Sequence, residues 1–230
     1  GINGLLVPEE YGGLDLDLLF AAAVSESLGE NVAPFSFLGP YVMAPIALSH
    51  GASDEQKRKY LTGIAKNKIK FAIGFAEFIS ARNGSGVTFK NNKVNGKLMF
   101  VLDIEGATHL LLADESGGIG VVDLAHQNIE IVNLTTVDKT RSYSEVILDG
   151  VSIDLLDKSL KDNFVINKTI DAGRIILAAD SLGSSSALIS KAVEYSKERK
   201  QFGRTIGSFQ AVKHMCAEMA ADLEPCYAFV

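Results

Sequence analysis

Apolar and polar positions along the 230 residues fall into three successive patterns. From Asp15 to about Lys66 the period is helical. Leu18, Leu19, Ala22, Ala23 and Glu26 recur at three and four residues, and Gly29 reads as a stop. A second helix is predicted from about Phe37 to His50, with Gly51 as its C-cap. Ser53-Asp54-Glu55-Gln56 has the form of a capping box, a hydroxyl cap with Gln three residues on. It starts a helix over Glu55 to Asn67 with Tyr60, Leu61 and Ile64 on one face.

From Phe71 to about Asp157 the pattern becomes one of short strands. Lys70 to Ala76, Val87 to Phe89, Lys93 to Asn95 and Leu98 to Leu102 come first. His109 to Ala113, Gly120 to Leu124, Ile129 to Leu134 and Tyr143 to Leu148 follow. Asn91-Asn92 is a hairpin signal. The regular spacing suits a small antiparallel barrel or sandwich. From about Ser159 helical periodicity returns, with Ile166, Ile170, Leu177, Ser184, Leu188, Ala192 and Tyr195 on one stripe. A helix of about forty residues is about 60 Å long and belongs to a bundle. Gly203 and Gly207 end it, and another helix is predicted from about Ser208 to Leu223, before Pro225. Two such helices cannot close a bundle, so further helices or a partner chain are expected.

Composition narrows the class. The apolar share of 47% is ordinary for a globular protein. Disorder, collagen and a disulfide-stapled scaffold are excluded. A formal net charge of −6 offers no global field for nucleic acid or an anionic membrane. No apolar run reaches the roughly 18 residues of a bilayer span. The chain opens without Met and stops at Ala228-Phe229-Val230 inside a helical pattern, which reads as a fragment or as trimmed ends. Cys216 and Cys226 lack partners at ligand spacing and read as buried, inert thiols. His50, His109, His126 and His214 are scattered, so no metal site is expected.

Three segments carry candidate chemistry. Gly4-Leu5-Leu6-Val7-Pro8-Glu9-Glu10-Tyr11-Gly12-Gly13 is, by physics alone, a turn before a helix. Tyr195 to Gly203 closes the long helix with a cationic cluster that complements the C-terminal dipole. The same cluster suits anion binding, with Arg199 placed for a bidentate phosphate contact and Gly203 loosening the backbone. Asp171-Ala172-Gly173-Arg174 puts an arginine in an apolar helix. It is either an ion pair with Asp171 at i−3 or a ligand-facing group. Gly183-Ser184-Ser185-Ser186-Ala187 has the outline of a nucleophile elbow but lies mid-helix, where small residues serve close packing. Asn83-Gly84-Ser85-Gly86 lacks the helix and lysine of a phosphate loop.

Taken in order, these segments resemble the acyl-CoA dehydrogenase family of flavoproteins. The opening GLLVPEEYGG, DEQKRKYLTGIAKNK, VNGKLMFVLDIEGATHLLLA and DKTRSYSEVILDGVSI are similar to successive family segments. The run from Ala172 to Glu224, containing Arg199, Phe202-Gly203 and Phe209-Gln210, is the most specific. The resemblance implies an α+β fold. Its parts are an N-terminal helical domain (1–69), a middle antiparallel β-barrel (70–158) and the first part of a C-terminal long-helix bundle (159–230).

It also implies FAD, an acyl-CoA thioester and desaturation between the α and β carbons. A glutamate takes the α proton while the β hydrogen leaves as hydride to the flavin. Arg199, Gln201 and Phe202 match the segment reaching the FAD pyrophosphate of a neighbouring subunit, and Gln210 lies close to the same cofactor. Phe75, Ala76 and Glu77 match the flavin-contacting β segment. Phe100 takes the place of an aromatic, often Trp, against the ring, in a chain with no Trp, and Leu102 follows where a hydroxyl is usual. Arg174 matches the helix arginine near the acyl end.

Ala76 and Leu102 lack the hydroxyls that hydrogen-bond the flavin, and Gly173 stands where a minority of the family carries its base. No residue of the 230 is assigned as the base. These departures resemble heteromeric members, in which a non-catalytic or half-site subunit completes a partner's FAD site. The implied partners are an electron-transfer flavoprotein or similar acceptor and further subunits, as a homo- or hetero-oligomer (dimer or tetramer). The implied compartment is the bacterial cytoplasm, preferred over the mitochondrial matrix.

Overall fold

The computed structural model describes residues 1–76, 78–79, 86–159 and 163–230. The chain divides into two compact units. One comprises Gly1–Ala21 with Pro34–Arg174, the other Ala22–Ala33 with Ile175–Val230. Among the described residues no helix is long and apolar enough to cross a membrane.

The larger unit holds a sheet covered by short helices. A π-helical turn (Gly39–Met43) runs into α2 (Ala44–Gly51), and α3 spans Asp54–Ala65. The capping box forms as the sequence predicts. Ser53 Oγ accepts from the Gln56 N–H at 3.4 Å, and Gln56 Oε1 accepts from the Ser53 N–H at 3.0 Å. Gly51 is no C-cap: it is helical, and Ala52 ends the helix in an extended conformation. Gly51 is small because a Cβ there would lie 3.1 Å from Val165 Cγ1.

The strands of this unit are β1 (Phe71–Gly74), β2 (Gly86–Lys90), β3 (Lys93–Leu102) and β4 (His109–Ala113). They continue as β5 (Ile119–Asp123), β6 (Ile129–Asn133), β7 (Tyr143–Ser152) and β8 (Asp154–Leu155). Asn91 and Asn92 sit at φ +52° and +55°, the paired left-handed turn their position predicts. The sheet order is β6-β7-β3-β1-β4-β5-β8, with β2 on β3. Two expectations are corrected. The sheet does not close into a barrel among the described residues, and it is not wholly antiparallel. β1 is antiparallel to β3 and parallel to β4, pairing Phe71 with His109. Because β4 runs opposite to β3 and β1 lies between them, β1 must be parallel to one of the two. Val94, Leu98, Val101, Leu110, Val122 and Val146 form the centre of the core.

The buried face of α3 meets the sheet at a polar contact. The Tyr60 hydroxyl donates to Asp154 Oδ2 at 2.6 Å, and Gln56 Nε2 donates to Leu155 O at 2.8 Å. The Tyr60 ring lies 5.8 Å from both the Phe71 and His109 rings. Burial pushes the His109 imidazole below its ordinary value; Asp123 pulls the other way and Lys59 adds to the depression. Burial, Lys168 and Lys57 depress His50 in the same sense.

Both α1 (Leu18–Glu30) and α4 (Phe164–Glu198) begin in the larger unit, and within the smaller unit they cross at small residues. A Cβ on Gly29 would lie 2.0 Å from Asp180 O, and one on Gly183 would lie 1.9 Å from Glu26 O. Ser25 Oγ donates to Ile176 O at 2.9 Å and Ser184 Oγ to Gly29 O at 3.0 Å. Gly29 thus lies at a helix crossing as well as one residue before α1 ends at Glu30, while Gly183-Ser184 packs as expected. The buried face of α4 holds Val165, Ile166, Thr169, Ala172, Ile176, Ala179, Leu182 and Gly183; of the predicted stripe Ile166 is buried as expected, and beyond it the face is rotated. Leu177, Leu188 and Tyr195 are 41%, 66% and 59% exposed. Small residues line the packed face, so a count of large apolar side chains picks the wrong stripe. α5 spans Gln210–Leu223 without a buried residue. Cys216 is consequently half-buried and Cys226 exposed, correcting the expectation of buried thiols.

Two predictions follow from this packing. Gly183→Val drives side-chain atoms into the α1 main chain and destabilises the protein by about 3 kcal/mol, the upper range for overpacking, read by chemical denaturation. With the folded His109 value depressed, the unfolded chain protonates first, near about 6.5. The His109 contribution to stability is therefore full above that pH and is lost as pH falls through the folded-state value. His109→Asn flattens the fall in melting temperature between pH 7.5 and 5.5; an unchanged slope would contradict the assignment.

Candidate functional site

In the larger unit, candidate residues gather where β1 and β3 end. Ile73 pairs with Leu102, so the chain after β1 runs back along β3 towards Phe100. Phe75 is buried and Ala76 half-buried. A bulge interrupts the β3–β7 register between Leu98 and Val101. It holds Phe100 at φ +55°, and the residue is 42% exposed. Bulges re-aim side chains next to functional sites, and here the result is an aromatic ring facing outward from a strand end. Leu102 is half-buried one residue beyond the bulge. Glu77 lies outside the described residues.

A residue that the sequence reasoning passed over follows directly. Asp103 is 2% exposed, at φ +61°, and its Oδ2 accepts the Gly39 N–H at 3.1 Å. Burial lifts its carboxyl above the ordinary value. The Gly39 N–H, the Ser36 hydroxyl and the charges of Arg141 and Lys70 oppose that. The available signal was an acidic residue sealed between Leu102 and Ile104, in an otherwise apolar run. Beside it a cleft of about 580 Å³ opens, lined by Ser36, Ile104, Arg141, Ser142 and Tyr143 among others.

In the smaller unit the segment after α4 is a hairpin. β9 (Lys200–Gln201) pairs with β10 (Arg204–Thr205), and Phe202 and Gly203 make the turn at φ +52° and +77°. The sequence reading of a loosened backbone at Gly203 misses this. The signal was a two-residue turn ending in glycine between short polar arms. Phe202 is 92% exposed at the tip. Its ring meets Phe209 edge-on at 6.2 Å, and the Arg204 guanidinium lies 3.9 Å over the Phe209 ring. Gln201 Nε2 donates to the Lys200 carbonyl at 2.8 Å. Arg199 is exposed, and its carbonyl accepts the Ile206 N–H at 2.8 Å, which anchors the hairpin base. Gln210, exposed, opens α5, whose first turn has no side-chain cap. Exposed cations beside an uncapped helix start make a surface that favours anions.

The structure thus brings Arg199, Gln201, Phe202 and Gln210 together in one unit. Phe75, Ala76, Phe100 and Leu102 come together in the other. Arg174 joins neither group as described. Its Nη1 donates to Asp171 Oδ1 at 2.8 Å, the i−3 pair the sequence allowed, with both side chains exposed. Gly173 beside it is buried against Met43, whose Sδ would lie 3.2 Å from a Cβ there. An exposed pair of this kind stabilises little. Asp171→Ala therefore changes stability by less than about 0.5 kcal/mol in denaturant titration, leaving Arg174 free for a ligand.

Comparison with known proteins gives these features a context. Residues 1–68 match the family model of the acyl-CoA dehydrogenase N-terminal domain, and residues 164–230 that of the C-terminal domain. The chain is 25% identical to the probable acyl-CoA dehydrogenase YngJ of Bacillus subtilis, over 97% of this chain and 65% of that protein. It is 26% identical to the caffeyl-CoA reductase-Etf complex subunit CarC of Acetobacterium woodii, again over 97% and 65%. The chain therefore spans just under two thirds of the length of these relatives. The solved structure of the FAD complex of PigA shares the fold, with a TM-score of 0.84 at 21% identity, over 99% of this chain and 66% of that one. Two family models in the right order, joined by a shared fold across the sheet between them, place this chain in the acyl-CoA dehydrogenase family.

Proposed function

We propose that the chain forms the FAD-holding part of an enzyme that introduces an α,β double bond into an acyl-CoA thioester. The observation that carries this reading is the pair of aromatic and cationic surfaces just described. An outward-facing Phe100 at a strand end suits the face of a planar ring. A short hairpin with Arg199 beside it suits a pyrophosphate. When bound, FAD supplies the two-electron acceptor for the β hydrogen.

In this reading Arg199, Gln201, Phe202 and Gln210 hold the phosphate side for a neighbouring subunit. Phe75, Ala76, Glu77, Phe100 and Leu102 border the flavin, and Arg174 faces the acyl end. With Ala76 and Leu102 apolar, the polar edge of the ring depends on main-chain groups. Further subunits and an acceptor of the electron-transfer flavoprotein type complete the system; a relative named as part of an Etf complex supports that partner. The domain limits 1–69, 70–158 and 159–230 are part of the same reading, as is a bacterial cytoplasm, preferred over a mitochondrial matrix.

A second reading has its own observation. The position before Arg174 is Gly173, packed on Met43, so no base can stand there without displacing that side chain. Together with the missing hydroxyls at Ala76 and Leu102, this favours a half-site subunit that completes a partner's FAD site and does no chemistry itself.

One experiment separates the readings. The purified protein is assayed for flavin absorbance and for acyl-CoA-dependent dye reduction, alone and with candidate partner subunits. Flavin and turnover alone support the enzyme; both appearing only with a partner support the half-site subunit; neither in any combination overturns both. Arg199→Ala weakens FAD retention about tenfold, the loss of one charge-assisted contact, with melting temperature unchanged.

A further inference from the structure

The end of β3 adopts a backbone that its residue types resist. Phe100 and Asp103 both lie in the left-handed region, at φ +55° and +61°, within four positions of one another. A bulky aromatic persists there only where its surroundings over-determine it. Asp103 is where those surroundings converge. Its main-chain N–H donates to Ser142 O at 3.1 Å, just before β7 begins. Its carboxylate, 2% exposed as a residue, accepts the N–H of Gly39 at 3.1 Å, in the first turn of the helical run leading into α2. Gly39 has no side chain because there is no room: a Cβ would lie 2.9 Å from Asp103 Oδ2 and 3.1 Å from Ile73 Cγ1 of β1. One residue therefore sits at the meeting point of β1, β3, the approach to β7 and a helix start, its carboxylate holding the helix start and its main-chain N–H the approach to β7.

We infer that Asp103 is a positioning residue for the flavin-facing end of β3. By tying Gly39 and Ser142 to the residue after Leu102, it fixes the bulge that turns Phe100 outward. Its relevance to flavin rests on the function proposed above; the tie itself does not. A buried carboxylate is a costly way to satisfy one N–H unless its placement matters. Ser36, Arg141 and Lys70 are the polar and charged groups that make it tolerable. Asparagine keeps both an acceptor oxygen and tolerance of the left-handed region, whereas alanine keeps neither.

The absence of Trp from all 230 residues supplies the reporter. In the Phe100→Trp protein the only indole stands at the bulge. Adding Asp103→Ala should move its emission to the red and increase acrylamide quenching, with far-ultraviolet circular dichroism unchanged. Adding Asp103→Asn should leave both near the Phe100→Trp values. In FAD titrations followed by the same indole, Asp103→Ala raises Kd about tenfold and Asp103→Asn by less than about threefold. If Asp103→Ala does not fold, Asp103→Ser, whose hydroxyl is too short to reach Gly39, carries the same expectation. Unchanged emission and quenching in the alanine or serine protein overturns the inference. Emission that moves as expected, in proteins where FAD quenches the indole in no background, upholds the positioning role and refutes the flavin reading instead.

Discussion

Four residues, Phe71–Gly74, constrain the larger unit more than any others. All four are buried, and β1 is the strand on which β3 and β4 both depend, since neither pairs with the other. Removing its ladder would split the sheet into two ribbons. Its own direction follows from that position, which is why a middle region built otherwise from antiparallel neighbours contains one parallel pair. The same strand sets the site. Because Ile73 fixes the register of Leu102, the residues just beyond β1 and the bulge in β3 are delivered to one place. The candidate flavin surface is a by-product of strand pairing around a short, fully apolar strand.

Much of this was legible in the sequence where local chemistry decides the outcome. The Ser53 capping box, the Asn91-Asn92 turn and the strand His109–Ala113 depend on neighbouring residues and formed as read. The failures share a cause: the deciding partner is far away in the chain. Gly29 does stand beside a helix end, yet its size is set by the Asp180 carbonyl. Gly51 looks like a cap, yet Val165 and Leu156 dictate it. The packed face of α4 is lined by Ala172, Ala179 and Gly183, which close approach selects and hydrophobicity does not. Whether a sheet closes into a barrel is likewise a property of strand ends that strand spacing does not encode.

The site was legible unevenly for the same reason. Arg199 stood out by its type and position, Phe202 and Phe100 through the family resemblance, and the structure puts each on an exposed surface. Asp103 did not stand out, because its meaning lies in Gly39, sixty-four positions earlier. Arg174 was left between two roles, and its exposed pair with Asp171 is too weak to settle the matter by itself. Ala76 and Leu102 are informative by what they lack. In the proposed reading the flavin edge would lack two side-chain hydroxyls there, with Phe100 as its aromatic neighbour.

The hairpin after α4 has a further consequence, for the order of events as the chain acquires its structure. Lys200–Thr205 pairs with itself across a two-residue turn, and its aromatic and cationic contacts all lie between Arg199 and Phe209. Such contacts involve almost no loop-closure entropy, and hairpins of this size close in about 1–10 μs. β1, by contrast, waits for partners about thirty to forty positions away in sequence, at Leu102 and His109. The element suited to phosphate is therefore able to assemble long before the sheet that would receive the ring. When the complete chain refolds it forms as a local unit, independent of the slower long-range pairing in the sheet.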